Sequence, residues 1–370
     1  MRFRNGRLFL PDGQFHEGGF RIENGRFAEI ELGASEGEDL HGMLVIPGLV
    51  DIHHHGNSGK DFSDGDAAGL EVIARYLASR GVTSFCPTSM SLPFETLKTV
   101  FASADALKKR PKPDCANVAG IHMEGPYVNP VKAGAQNPAY LRLPSAEEFH
   151  ALQTLCGDLV RIVSIAPELE GALAFTKSAN CTVSATHTNA TYEEASAFFD
   201  AGGRHITHLY NAMPPLHHRS PGVIGAGMER DFVTAELICD GYHVHPSSVR
   251  AAFRLFPNRI CLISDALRCC AMPNGAYELS GQTVTVTDGV ARLRDGTIAG
   301  AASDLLTDLQ NAVSFGIPVE QAILAATATP AKAIGLSGEI GCIAAGARAD
   351  FLIMDDALQL RTVYLQGAAI

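Results

Sequence analysis

The sequence predicts an α/β fold: a (β/α)8 TIM-type barrel with a small β-sandwich module built from both chain ends. Three observations predict it. Eight apolar runs rich in β-branched residues alternate with longer amphipathic stretches, the pattern of repeated strand–helix units and a parallel sheet. Histidines and acids fall at the C-terminal ends of those runs, where barrels of this type keep their chemistry. Both termini read differently from the middle, as short β-like pieces punctuated by glycine.

Residues 1–46 (RLFLPDGQ, FRIENGRFAEI) and 336–370 (ending ADFLIMDDALQLRTVYLQGAAI) are assigned to the module, and residues 47–335 to the barrel. The strand candidates are 43–52 (MLVIPGLVDI), 82–89, 118–125, 160–167, 181–187, 205–211, 233–241 and 259–266. Helix-like segments such as AAGLEVIARYLASRG and TYEEASAFFDAGG lie between them, several ending in the glycine expected just past a helix. Residues 276–298 read as β-hairpins inserted after the eighth strand.

Composition narrows the classes. Of the 370 residues, 46% are hydrophobic and 19% charged, enough apolar material for a large core and no sign of disorder. The N-terminus lacks the apolar stretch of a signal peptide, and no run approaches the roughly 18 apolar residues of a membrane helix, so a cytoplasmic protein with no membrane contact is expected. Nine cysteines without a C-x-x-C pair, including adjacent Cys269 and Cys270, read as reduced thiols packed in the core. A net charge of −11 argues against a nucleic-acid surface but leaves room for a phosphorylated small molecule, which needs only local donors.

His53 and His55, one residue apart on a strand, face the same way, as a transition-metal site of the Zn or Fe type requires. His54 must face the other way, into packing or a supporting contact behind the ligands. Asp51 is placed to orient a ligand histidine from behind. Glu124 offers a carboxylate that can bridge two cations. His122 shares its face and is read as a satisfied histidine. His187 and His208 close the next two strands. Each histidine alone is explained by packing; four of them with a glutamate at one rim are not. Asp265, ending the eighth strand, could bind metal, orient a loop or act as general base.

The motifs PGLVDIHHHG, GIHMEGPYVNPVKAGAQNP, THTNATYEEA, THLYNAMPPLHHRSPG, ICDGYHVHP and ISDAL together resemble the amidohydrolase superfamily and, within it, the N-acetylglucosamine-6-phosphate deacetylases. The resemblance covers nearly the whole chain. It implies a metal site at Glu124, His187 and His208, a second metal at His53 and His55, and a catalytic Asp265. It implies one or two divalent ions per subunit, of Zn, Fe, Mn or Co. Asn211, the backbone of Ala212, and His243 match positions that hold the sugar phosphate. Arg219 and His218 match a loop that reaches the neighbouring subunit's substrate, which implies a homodimer. Gln136 matches a carbonyl-donor position where some members have histidine. The fourth strand, VRIVSIAP, lacks the bridging lysine of many amidohydrolases, in keeping with a bridging Glu124. The substrate that the resemblance implies is N-acetylglucosamine 6-phosphate, losing its acetyl group; N-acetylgalactosamine 6-phosphate, a cyclic amide or a dipeptide, and a non-catalytic barrel are the competing readings.

Overall fold

In the computed structural model, which describes residues 1–370, each apolar run supplies one parallel strand of the barrel. In chain order these are β1 (Leu49–His54), β2 (Val82–Ser89), β3 (Ile121–Glu124), β4 (Val160–Ile165), β5 (Thr182–Ala185), β6 (His205–Ile206), β7 (Thr234–Ile238) and β8 (Ile260–Ile263). Each pairs with the next. The ring closes just past the strand ends, where the Asp265 amide donates to His53 O and the His55 amide to Ala266 O, both at 3.0 Å.

The strands are buried along almost their whole length, because helices cover the sheet and leave no polar face. Leu70, Ile73 and Leu77 of the helix Ala67–Ser79 join Phe85 and Ile121 of the sheet in one apolar cluster. The helix Tyr192–Asp200 starts at a reciprocal cap, Thr191 and Glu194 each satisfying the other's backbone amide.

The predicted first strand is two strands. Leu44–Pro47 lies in the terminal module, antiparallel to Phe351–Met354 and parallel to Arg2–Phe9. The break falls at Gly48, where a Cβ would stand 2.1 Å from Thr83 Oγ1; only glycine lets the chain cross β2 so closely. The module's eight strands close on an aromatic core in which Phe351 stacks on Tyr364 at 4.3 Å and Phe20 meets Phe351 at 5.0 Å. No helix of the chain is long and apolar enough to cross a membrane.

The insertion forms a four-stranded antiparallel sheet: Gly275–Leu279, Gln282–Thr287, Val290–Arg292 and Ile298–Ala301. Its last strand returns to the barrel mouth, with Ala301 N donating to Asp265 O at 2.8 Å and Leu267 N to Ala301 O at 2.9 Å. The backbone of Asp265 is thereby held from both sides, by β1 and by the insertion.

A buried polar chain ties β1 to β8. Asn57 Nδ2 donates to His54 Nε2, His54 Nδ1 donates to Ser264 Oγ at 2.9 Å, and Ser264 Oγ donates to Asp51 Oδ2 at 2.6 Å. Asp51 therefore faces Ser264 and not a ligand imidazole as expected; the register of β1 against β2 shifts between Asp51 and His54, which spoils the simple alternation of faces. Ser264→Ala strands a buried carboxylate and a buried imidazole donor and should cost about 1–3 kcal/mol, read as a lower denaturation midpoint. Ser264→Thr keeps the hydroxyl and should retain most of that stability. An alanine variant as stable as the parent would mean that this chain does not brace the closure.

Candidate metal centre

Glu124 is the last residue of β3, His53 lies within β1 and His55 just beyond it, while His187, His208 and Asp265 each stand two residues past the end of β5, β6 and β8. Those last three adopt left-handed backbone, with φ of 39°, 31° and 48°. Such conformations cost about 1–3 kcal/mol outside glycine and persist only where the surroundings impose them. Here they swing three polar side chains off three strands towards one point.

At that point Glu124 Oε1 lies 2.9 Å from His208 Nε2 and 3.2 Å from His187 Nε2, and the two nitrogens are 3.2 Å apart. The opposite ring nitrogens are engaged by backbone: His187 Nδ1 donates to Lys132 O at 2.7 Å and His208 Nδ1 to Asn211 O at 3.2 Å. Each proton is thereby placed on Nδ1, leaving an Nε2 lone pair aimed inward.

The H-x-H pair meets the other carboxylate oxygen. His55 Nε2 is 3.4 Å and His53 Nε2 3.7 Å from Glu124 Oε2, and both nitrogens are 3.3 Å from Asp265 Oδ1. His55 Nδ1 is held by Thr88 O at 3.1 Å, and His53 Nδ1 by Glu236 Oε2 at 2.8 Å. Gln136 donates to Glu124 Oε2 at 2.8 Å while its own oxygen accepts the Ser91 amide at 2.7 Å. Its amide is thus aimed at Glu124 in this structure.

The electrostatics ask for positive charge. Burial works against a charged imidazole at His53, yet Asp265, Glu236 and Glu124 outweigh it and hold the proton affinity well above the ordinary value. His55 is pushed up to about 9, burial again being overcome by Asp265 and Glu124. Burial would raise Glu124, but His53, His187 and His208 keep it well below the usual carboxylate range. Three carboxylates buried in one network are stable only when compensated. A divalent cation fits this donor set: two convergent clusters, Glu124 with His187 and His208, and His53 with His55 and Asp265, each offer inward lone pairs with the outer nitrogens already satisfied. His122 belongs to neither. Its Nδ1 donates to Ile52 O and its Nε2 lies 2.7 Å from Ser164 Oγ, and burial pulls its pKa down to about 3.

The clusters open into a cavity of about 620 Å³ whose wall includes Gln136, Asn211, Ala212, His243 and, from the insertion, Asp295 and Thr297. The Ala212 amide has no protein acceptor. Burial would raise the Asp240 carboxyl, but a 2.7 Å hydrogen bond from His243 Nδ1 holds it below its usual range and fixes the imidazole. His218 and Arg219 stand apart on an exposed turn, bonded to each other at 2.7 Å, and do not line this cavity. Sequence reasoning missed Glu236, although it is the one charge inside the run VTAELI, and it missed the carbonyls of Lys132 and Thr88, which no side-chain pattern announces.

Known proteins resemble this chain over nearly its whole length. The sequence profile of the Amidohydrolase family matches residues 44–369. The N-acetylgalactosamine-6-phosphate deacetylase of Escherichia coli O157:H7 is 34% identical over 365 residues, 98% of this chain and 97% of that protein. The N-acetylglucosamine-6-phosphate deacetylase of Bos taurus is 34% identical over 385 residues, 99% of this chain and 93% of that protein. Among solved structures, an aspartate-to-alanine variant of the Mycobacterium smegmatis N-acetyl-D-glucosamine-6-phosphate deacetylase, in complex with N-acetyl-D-glucosamine 6-phosphate, superposes with a TM-score of 0.93 at 30% identity, covering 100% of this chain and 98% of that one. The chain belongs to the amidohydrolase family, in the branch that contains these amino-sugar-phosphate deacetylases.

Proposed function

We propose that this protein hydrolyses the N-acetyl group of N-acetylglucosamine 6-phosphate, giving glucosamine 6-phosphate and acetate. The observation that carries the reading is Asp265 Oδ1 standing 3.3 Å from both H-x-H imidazoles, at the floor of a cavity that also exposes Asn211, Ala212 and His243. Full-length similarity to deacetylases supports it. The catalytic unit in this reading is the barrel of residues 47–335, with the terminal module as its support.

Glu124, His187 and His208 would hold one divalent ion (Zn, Fe, Mn or Co), and His53 with His55 a second, sharing Glu124. Such a cation supplies Lewis acidity, which acidifies water and polarises an amide carbonyl. Asp265 accepts the proton of the attacking water as the new C–O bond forms, then returns it to the sugar nitrogen as the C–N bond breaks. One carboxyl group thus serves both steps. His243 and the Gln136 amide, both in the cavity wall, are the side chains this reading assigns as donors to the developing oxyanion.

The phosphate binds away from the reacting amide, at Asn211 and the Ala212 N–H, so that its binding energy orients the acetyl group. Lys132 is the single lysine or arginine in the cavity wall. A phosphate dianion calls for more, and Arg219 and His218 of a neighbouring subunit in a homodimer would supply it. The cytoplasm is the compartment this reading assigns.

A galacto reading has its own support in the 34% identity to the Escherichia coli enzyme. Acetate release from both sugar phosphates, compared as kcat/KM, decides between them: a higher value for the gluco epimer is expected, and activity on neither removes the proposal. Asp265→Asn should lower kcat about 10²- to 10⁴-fold while metal content at the Glu124 cluster persists; retained kcat would take the proton transfer away from Asp265. Arg219→Ala should raise KM strongly at unchanged metal content, and unchanged kinetics would place that arginine outside the phosphate site.

A further inference from the structure

Glu236 lies in the middle of β7, fully buried, and no step above uses it. A carboxylate in an apolar strand is costly unless its oxygens are paired. Here both are. Oε2 accepts the His53 Nδ1 proton at 2.8 Å and the His208 backbone N–H at 3.1 Å, and Oε1 lies 3.1 Å from His205 Nε2. The His205 ring is fixed in turn by Thr234 Oγ1, 2.6 Å from its Nδ1. His122 Nδ1 is 3.7 Å from the carboxylate but is committed to Ile52 O. His53, His122 and Glu236 do converge, yet with these donors and acceptors already matched they form a hydrogen-bonded brace and not a third cation site.

One oxygen of this brace touches both halves of the metal centre. We infer that Glu236 is a positioning residue: it fixes His53 as the Nδ1–H tautomer, so that the Nε2 lone pair faces His55, Glu124 and Asp265, and it holds the backbone of His208 in its left-handed bend. The inference rests on the two-cation reading above. The two halves depend on it unequally. His208 keeps its own ring contact to Asn211 O and its neighbours in the Glu124 cluster. For the His53 ring, Glu236 is the one partner on the Nδ1 side. An amide in place of the carboxylate carries no charge and keeps one acceptor oxygen beside an NH2 with two donors, so it cannot accept at both ends from His53, His208 and His205 as the carboxylate does. Removing the charge should therefore loosen the H-x-H side first.

The test is an anaerobic titration of the metal-free full-length protein with Co(II), followed by visible absorption and bound-metal analysis, for the wild type and Glu236→Gln. The wild type should take two equivalents per subunit. The variant should bind the first with unchanged affinity and the second about 10- to 100-fold more weakly, the range seen when an outer partner of a ligand is removed. A variant whose second constant is unchanged, or whose two constants fall together as general loosening of the barrel would cause, overturns the inference. A wild type that takes only one equivalent overturns the two-cation reading, and this inference with it. If E236Q gives no folded protein by circular dichroism, Glu236→Asp is titrated in the same way and judged by the same outcomes.

Discussion

Everything at the mouth of this barrel is arranged around one buried carboxylate. Glu124 turns one oxygen to His187 and His208 and the other to His53 and His55. A carboxylate this deep, facing four imidazoles, is tolerable only with positive charge close by, and the protein has built the surroundings to hold that charge. The outer nitrogens of all four rings are engaged elsewhere, so that what remains free is a set of inward lone pairs.

The backbone bears the strain of that arrangement. Three site residues sit at positive φ immediately after three different strands, and each bend is held by a bond from another part of the chain. Glu236 accepts the His208 amide, His53 O and Ala301 N flank Asp265, and His187 O accepts the Asn129 amide. The loop of residues 129–136 also supplies Lys132 O to His187 and the Gln136 side chain to Glu124. It is tied to the insertion through Gln282, whose amide donates to Ala135 O, and through the adjoining Asn137, which donates to Ser280 O. The same loop and the same insertion therefore wall the cavity and steady the convergent side chains, so that the cavity and the cluster share their supports.

Glu236 and Asp51 show where reading by pattern stops. Both are acids in apolar runs. Asp51 stood beside the H-x-H motif and was expected to orient it, yet it braces β1 against β8 through Ser264. Glu236 is 183 residues from His53 in the chain and holds it directly. Closeness in sequence favoured the wrong acid, because the β1 register slips at that point and the Glu236 side chain of β7 reaches the His53 ring across the barrel interior.

By itself the sequence determined the number and direction of the strands, the module built from both ends, and the identity of the converging donors, because hydrophobic periodicity and the residue types that chemistry requires are written locally. Tertiary structure decided the rest. It broke the first predicted strand at Gly48, where β2 passes too close for any side chain. It chose the carbonyls and the distant carboxylate that set each imidazole's tautomer. It left His218 and Arg219 on an outward turn, away from the cavity of their own chain. Those outcomes depend on which atoms meet across the barrel, and a one-dimensional pattern does not carry that information.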